Sequence, residues 1–447
     1  MNGPVQSGSE IDGFTVGERI HAGGMGDIFR VSKPGFERPL IIKVPRLGTG
    51  ASESLLAFQT EAMIAPTLTG PHVAPFVAAS ELTRTPYLVF EWTEGQTLEE
   101  RFSAGPLAPA EVAAVGAALA DALYGVHQQR VIHLDLKPSN VIARGNGGMV
   151  LIDFGYAHRE RFPDLLAEET RFAAGSAPYV SPEQLLGIRS DRRSDLFALG
   201  VVLYELALGR LPFGEPDSDL RNRFWFEPTP PLAFVPDFPP WLQEIILRCL
   251  EPRAELRYQS GAHVAFDLRH PDQVALTLRS KKSSRTGLVV QARRFLRARA
   301  EHAARLRSPA PLLSRTPIVL VAVNTARPED ERHPAIRLAI SQLLAASTEF
   351  RLICLTVIPT AASSLEHLLK LRQWLAPLGL SAQRTSLHAV ESEDPAEVIV
   401  EIARYNNVDV LVVGAPSEGG RAWSQSTAST VTAKVKCSVH VVRVPRR

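Results

Sequence analysis

A handful of polar side chains at fixed spacing carries the chemistry in this chain. An apolar run at 131–132 leads into His133, Asp135, Lys137 and Asn140, and a second at 150–152 leads into Asp153, Phe154 and Gly155. Asp135 could take the proton of a hydroxyl nucleophile, with Lys137 near a group being transferred. Asn140 and Asp153 offer the hard oxygen donors that Mg²⁺ prefers. Phosphoryl transfer asks a protein for positioning and for neutralised phosphate charge rather than for covalent chemistry, and these residue types suit it. The bland alternative is two surface turns between buried strands. The partners expected of such a site, found elsewhere in the chain, speak against it.

Those partners stand on elements that the sequence pattern outlines. Residues 14–31 alternate like two strands around Ala22, Gly23, Gly24, Met25 and Gly26. Glycines there let backbone N–H groups come close to a phosphate. The strand 40–44 carries Lys43, and a lysine inside an apolar strand needs an anionic partner. Glu61, in the helical stretch 55–68, is a suitable one. Residues 87–93 form a further apolar strand, 109–129 a long helix by apolar spacing, 156–174 a polar mixed segment, and 196–208 an apolar helix.

Taken together these segments resemble bacterial eukaryotic-like (Hanks-type) Ser/Thr protein kinases, over about residues 12–270. The resemblance implies an α+β bilobal kinase fold, with an N-lobe at about 12–92 and a C-lobe at about 93–271. It implies ATP and Mg²⁺ as cofactors and protein Ser/Thr hydroxyls as substrates. Gly23, Gly24 and Gly26, with Ala22 and Met25, would cover the phosphates. Lys43, held by Glu61, would orient the α- and β-phosphates. Ile28 and Ile41 would line the adenine site, with Phe90 as gatekeeper and Glu91 and Thr93 in the hinge. Asp135 would be the catalytic base beside Lys137, and Asn140 and Asp153 the metal ligands. Thr170 and Ser176 would be the activation-segment hydroxyls open to autophosphorylation. Glu183, in the stretch that stands for Ala-Pro-Glu, would pair with Arg257, and Asp195 would brace the catalytic loop.

The sequence also departs from the kinase pattern. His21 stands where the first loop glycine is usual, Ile41 replaces a small residue, and Phe90 is bulky. Leu134 replaces the arginine that normally precedes the catalytic aspartate. That arginine is a buried charge which phosphorylation of the activation segment would neutralise, so activation here should depend less on a phosphate. Lys137 fits a Ser/Thr rather than a tyrosine kinase. The rivals are a pseudokinase scaffold or nucleotide sensor without phosphoryl transfer, and a small-molecule kinase. The second commonly lacks a stretch like 175–183.

The 447 residues, 45% hydrophobic and 21% charged, fit two or three soluble globular domains. Cys249, Cys354 and Cys437 have no paired spacing. That excludes a disulfide framework or a zinc site, suits a reducing compartment, and reads as three core residues. The opening residues read as a disordered leader over 1–11, not a signal peptide. The longest apolar run, 196–208, is too short and polar to span a bilayer. A cytoplasmic protein is expected, with no DNA partner.

Residues 272–315 read as a basic helical connector. Between 280 and 310 lie nine Lys/Arg and one Glu, a local +8 against a chain total of +2. It reads as a solvated helix or as a surface for an acidic partner or an anionic surface. From 316 to 447 strands alternate with helices, which predicts an α/β, doubly wound, mainly parallel sheet. Ligands in such sheets bind beyond the strands' carboxyl ends. The stretches 412–414, 424–426 and 437–442 resemble the universal stress protein family. Its nucleotide-binding members carry an aspartate where this chain has Asn324 and a Gly-Ser pair where it has Gln425 and Ser426. Asn324, Gly414 and Ser426 are the candidate second nucleotide site. The favoured reading is a regulatory or dimerisation domain, joined as a homodimer through its last strand.

Overall fold

The computed structural model describes residues 5–284 and 317–443, apart from the interior stretches 23–25, 46–50, 81–85, 103–104, 161, 163, 170–174, 215–226, 328–329, 347–349, 360–363, 381–384, 407 and 416–425. The first six strands are β1 Glu10–Ile11, β2 Phe14–Ala22, β3 Gly26–Ser32, β4 Leu40–Pro45, β5 Phe76–Ala79 and β6 Leu88–Glu91. They form one antiparallel sheet in the order β1-β2-β3-β4-β6-β5. Alternate residues Phe14, Val16, Phe29, Val31, Leu40, Ile42 and Val89 bury one face together. Helix α1, Ala51–Ile64, belongs to the same lobe.

One expectation fails at the start of the chain. Residues 5–11 are not a disordered leader, because Ile11 is buried with Phe14 and β1 pairs with β2. Asp12 and Gly13 make the two-residue turn with φ of 49° and 81°. Asp-Gly is a strong hairpin signal, and the polar composition around it hid it.

The second lobe is helical. Its helices are α2 Leu98–Phe102, α3 Pro109–Gln128, α4 Leu165–Glu169, α5 Pro182–Leu185, α6 Arg193–Leu208, α7 Pro240–Cys249 and α8 Gly261–Arg269. Leu119, Leu123 and Val126 of α3 join Leu199, Val202 and Leu203 of α6 and Ile245 of α7 in one core. Helix α3 is long and apolar enough to cross a membrane by length and composition, but here it is that core's central helix. Gly209, with φ 64°, closes α6 in the left-handed conformation. Short strands β7 Gln96–Thr97, β9 Val141–Ala143 and β10 Met149–Leu151 make a three-stranded sheet, and β8 Val131–Ile132 pairs with β11 His158–Arg159. These two small sheets present the loops 133–140 and 152–157. The packed lobe runs past 271, its expected end: Thr277 and Arg279 bond to Glu244, and Arg279 also to Glu251. The rest of the connector, 285–315, lies outside the described residues.

The C-terminal domain has strands β12 Ile318–Ala322, β13 Arg351–Ile358, β14 Thr385–Glu391, β15 Val410–Gly414 and β16 Ser438–Val442. All pairs are parallel, in the order β14-β13-β12-β15-β16. Helices α9 Arg332–Ala346 and α10 Ser364–Leu375 cover one face, and α11 Pro395–Tyr405 and α12 Thr427–Lys434 the other. The doubly wound sheet expected from the sequence is therefore present. Cys249 and Cys354 are core residues as expected, but Cys437 is only half-buried because it lies just before the edge strand β16.

Candidate active site

Lys43 projects from β4 to meet two carboxylates. Its Nζ is 2.6 Å from Glu61 Oε2 on α1 and 2.9 Å from Asp153 Oδ1. Burial opposes the lysine's charge, but Asp153 and Glu61 outweigh it and raise its pKa. Burial likewise opposes the Asp153 charge, and Lys43 outweighs that, holding the carboxyl below its usual range. Asp153 has φ 63° and ψ 75°, a left-handed turn that aims it at Lys43. Gly155 follows because a Cβ there would lie 3.1 Å from the Ala57 Cβ and 3.2 Å from the Ala57 carbonyl on α1. The amide of Phe154 also donates to Glu61 Oε1 at 3.2 Å. Helix α1 and the Asp153 turn are thus held together by one glutamate.

Around Asp135 a second cluster forms. The Ser176 amide donates to Asp135 Oδ1 at 2.6 Å. Lys137 Nζ lies 3.2 Å from Asp135 Oδ2, and Asn140 Nδ2 donates to that oxygen at 3.0 Å. Lys137 also donates to Ser176 Oγ at 2.7 Å. Ser176 is therefore bonded into the cluster through both its amide and its hydroxyl. Asn140 commits its amide nitrogen to Asp135, and its carbonyl oxygen is the atom that could meet a metal. That oxygen and the ionised Asp153 fit a hard divalent cation that completes its shell from phosphate oxygens. No denser set of His, Cys, Asp and Glu occurs among the described residues.

The loop is braced from α6. Asp195 Oδ2 accepts the amide of His133 at 2.9 Å and its Oδ1 the amide of Leu134 at 2.8 Å. His127 Nε2 on α3 lies 2.7 Å from the same carboxylate. Burial would raise the Asp195 pKa, but the bond from His127, joined by the His133 amide, outweighs it and lowers the pKa. The His133 ring meets the Ile152 carbonyl at 3.0 Å and accepts from the Asp135 amide at 3.3 Å, linking the two loops. Gln184 donates from Nε2 to the Leu134 carbonyl at 2.8 Å. Glu183 receives two parallel bonds from Arg257, at 2.6 and 2.8 Å, and one from Ser194 Oγ at 2.8 Å.

The nucleotide side is partly placed. Gly26 starts β3 where a Cβ would meet the Val44 carbonyl at 2.4 Å, so only glycine lets the strands close there. Ile28 and Ile41 are half-buried, and Ala22 and His21 exposed. Phe90 is buried edge-on against Phe76, with ring centroids 5.8 Å apart. Glu91 pairs with Arg38 at 2.6 Å, and Thr93 is buried with no hydrogen-bond partner for its hydroxyl. Gly23, Gly24, Met25 and Thr170 lie outside the described residues.

Sequence reasoning missed three participants, His127 and Arg189, which are buried, and Asp164, which is half-buried. His127 looked like one more residue of an apolar helix, although a lone histidine on a buried face needs a partner. Asp164 and Arg189 stand in polar stretches, yet Arg189 is buried and donates to both Asp164 oxygens.

In the C-terminal domain, Asn324 follows β12, Gly414 ends β15 and Ser426 caps α12 by accepting the Ser429 amide at 3.2 Å. All three are at the carboxyl edge of the sheet. Asn324 is turned into its own loop, accepting the Ala326 amide at 3.1 Å, and a Cβ on Gly414 would lie 3.3 Å from the Arg332 side chain. Residues 416–425, which include Gly419, Gly420 and Gln425, lie outside the described residues.

A family model for the protein kinase domain matches residues 14–267, and one for the universal stress protein family matches residues 316–443. A probable serine/threonine-protein kinase of Corynebacterium efficiens is 32% identical over 269 residues, covering 58% of this chain and 41% of the relative. Serine/threonine-protein kinase PknB of Mycolicibacterium smegmatis is 31% identical over 265 residues, covering 58% and 42%. The chain thus spans about two fifths of the length of the curated relatives it matches. The solved kinase domain of Mycobacterium tuberculosis PknI covers 60% of this chain and 99% of its own, at 24% identity and a TM-score of 0.47.

Proposed function

The chain belongs to the protein kinase family and ends in a universal stress protein domain, and from that premise we propose that it is a cytoplasmic, Mg²⁺- and ATP-dependent serine/threonine protein kinase. The observation that carries this reading is the Lys43 bond to both Glu61 and Asp153, beside the cluster of Asp135, Lys137 and Asn140. Lys43 orients the α- and β-phosphates of ATP, and Asp135 accepts the proton of the substrate hydroxyl. The hydroxyl oxygen forms the new bond to the γ-phosphorus as the bond to the departing ADP oxygen breaks, and Lys137 meets the charge on the transferred group. Mg²⁺, held through Asn140 and Asp153, supplies neutralisation of the phosphate charge. The carboxylate of Asp135 is covered by the segment around Ser176, so that segment has to yield to admit a substrate.

The universal stress protein domain is read as the regulatory part. Its edge strand β14 packs against α1, the helix that carries Glu61. A change in that domain can therefore reach the Lys43 pair without crossing the active site. A scaffold that binds partners without phosphoryl transfer is the rival, and the retention of Lys43, Asp135, Asn140 and Asp153 speaks against it. Transfer of label from γ-labelled ATP to a generic protein substrate, with Asp153→Asn as control, tests the reading. Equal label with both proteins would overturn it.

A further inference from the structure

Leu134 leaves the catalytic loop without the arginine that could receive an activation-segment phosphate, yet the described part of that segment is tied down. Arg189, between α5 and α6, is buried. Its Nε donates to Asp164 Oδ1 at 3.0 Å and Oδ2 at 2.8 Å, and its Nη2 donates to the Tyr156 carbonyl at 2.8 Å. Asp164 also accepts the Ala167 amide at 3.1 Å, capping α4, and lies 3.2 Å from His158 Nδ1 on β11. One carboxylate so joins the beginning of the activation segment, its short helix α4 and the loop that follows the segment's far end.

The tie reaches the active site through packing. Leu165 and Leu166 of α4 are buried in one cluster with Leu56 and Met63 of α1 and with Tyr156. Glu61 lies on that same α1 and holds Lys43 and the Phe154 amide. Fixing α4 therefore fixes the seat on which α1 rests.

We propose that the Asp164–Arg189 pair is a built-in latch that orders the activation segment without phosphorylation, with Arg189 as a positioning residue for phosphoryl transfer. A carboxylate held by a buried guanidinium does here what a phosphate would do in a segment whose receiving arginine precedes the catalytic aspartate. The bond is charge-assisted, with the Nε–H of Arg189 shared between the two Asp164 oxygens. The proposal rests on the kinase reading for its catalytic consequence and on geometry alone for its structural one.

The test uses the full chain, treated with a protein phosphatase and compared with Thr170→Ala, Asp164→Asn, Asp164→Glu and Arg189→Gln. Expected are an unchanged turnover, within about twofold, for the treated wild type and Thr170→Ala. Asp164→Asn and Arg189→Gln should lose about 10²-fold in kcat, the scale of a misplaced constellation, with Asp164→Glu recovering much of it. The ATP KM should move far less than kcat. In parallel, hydrogen exchange of residues 156–167 should rise in Asp164→Asn while α6 and α8 stay protected. Loss of activity on dephosphorylation, or unchanged exchange and kcat in Asp164→Asn, would overturn the latch. A wild type with no transferase activity would refute the kinase reading, and the exchange measurement would still decide the latch.

Discussion

Asp195 takes the amide of Leu134 at 2.8 Å, so a residue on the buried helix α6 sets the backbone from which Asp135 projects. Leu134 itself has φ 62°, a conformation that costs a branched side chain energy and needs outside support. Asp195→Asn keeps the shape but leaves one acceptor oxygen for two amides and removes the charge beside His127. Turnover should drop by about 10²-fold while the ATP KM changes little. Steady-state kinetics on the variant check this, and a kcat near wild type would show that the brace is dispensable.

For the reacting groups themselves the expectation is sharper. Asp153→Asn removes the charged metal ligand and one of the two anions facing Lys43, and activity should vanish with the fold intact. Asp135→Asn should lower turnover by about 10²–10⁴-fold, as for loss of a positioned base. Circular dichroism establishes the fold and labelled-ATP transfer the activity. Comparable turnover in both variants would remove these residues from the mechanism.

How much of this was legible in the sequence follows from what each feature depends on. Asp135, Asn140 and Asp153 were readable because short apolar strands flank them at fixed spacing, and Lys43 because a lysine in an apolar strand demands an anion. The Glu183–Arg257 and Asp195 contacts came only from resemblance, since nothing local links residues 74 and 61 positions apart. Arg189 and Asp164 were invisible for the same reason: each sits in a polar stretch, and only the fold makes their meeting place dry. The hairpin at Ile11 was missed because composition outweighed a two-residue turn signal.

The Arg257–Glu183 pair is buried, and its value lies in completeness. Removing one partner, as in Arg257→Met, strands the other charge and should destabilise by about 3–5 kcal/mol. Replacing both with apolar residues, Arg257→Met with Glu183→Leu, should recover a large part of that loss. Chemical unfolding of the single and double variants measures the coupling. Additive losses would mean that the two side chains act independently.

Acid should weaken the latch with a defined sign. Burial works to raise the Asp164 carboxyl, but His158 and Arg189 outweigh it and lower it from 3.8 to about 2. A depressed folded value means the stabilisation is full above about pH 4 and is lost as pH falls toward about 2. A shift of that size corresponds to about 2 kcal/mol. The stability gap between wild type and Asp164→Asn should therefore narrow between pH 5 and pH 3, as read by urea unfolding at each pH. A constant gap would show that the carboxylate's charge contributes nothing.

The last prediction concerns assembly. β16 is one edge of the C-terminal sheet, with Ser438 and His440 exposed and Val439 and Val441 half-buried. An edge strand offers unpaired backbone groups that tend to be covered or paired. The opposite edge, β14, already faces α1, so β16 is the edge left for another copy. Antiparallel pairing of two β16 strands about a two-fold axis would join the sheets and set two kinase halves near each other for trans-phosphorylation. Light scattering on the full chain should then give twice the chain mass at tens of micromolar, on the scale of ordinary reversible dimers. Val441→Lys places a charge in that seam and should return the monomer. A wild type that is monomeric at this concentration would rule out the β16 dimer.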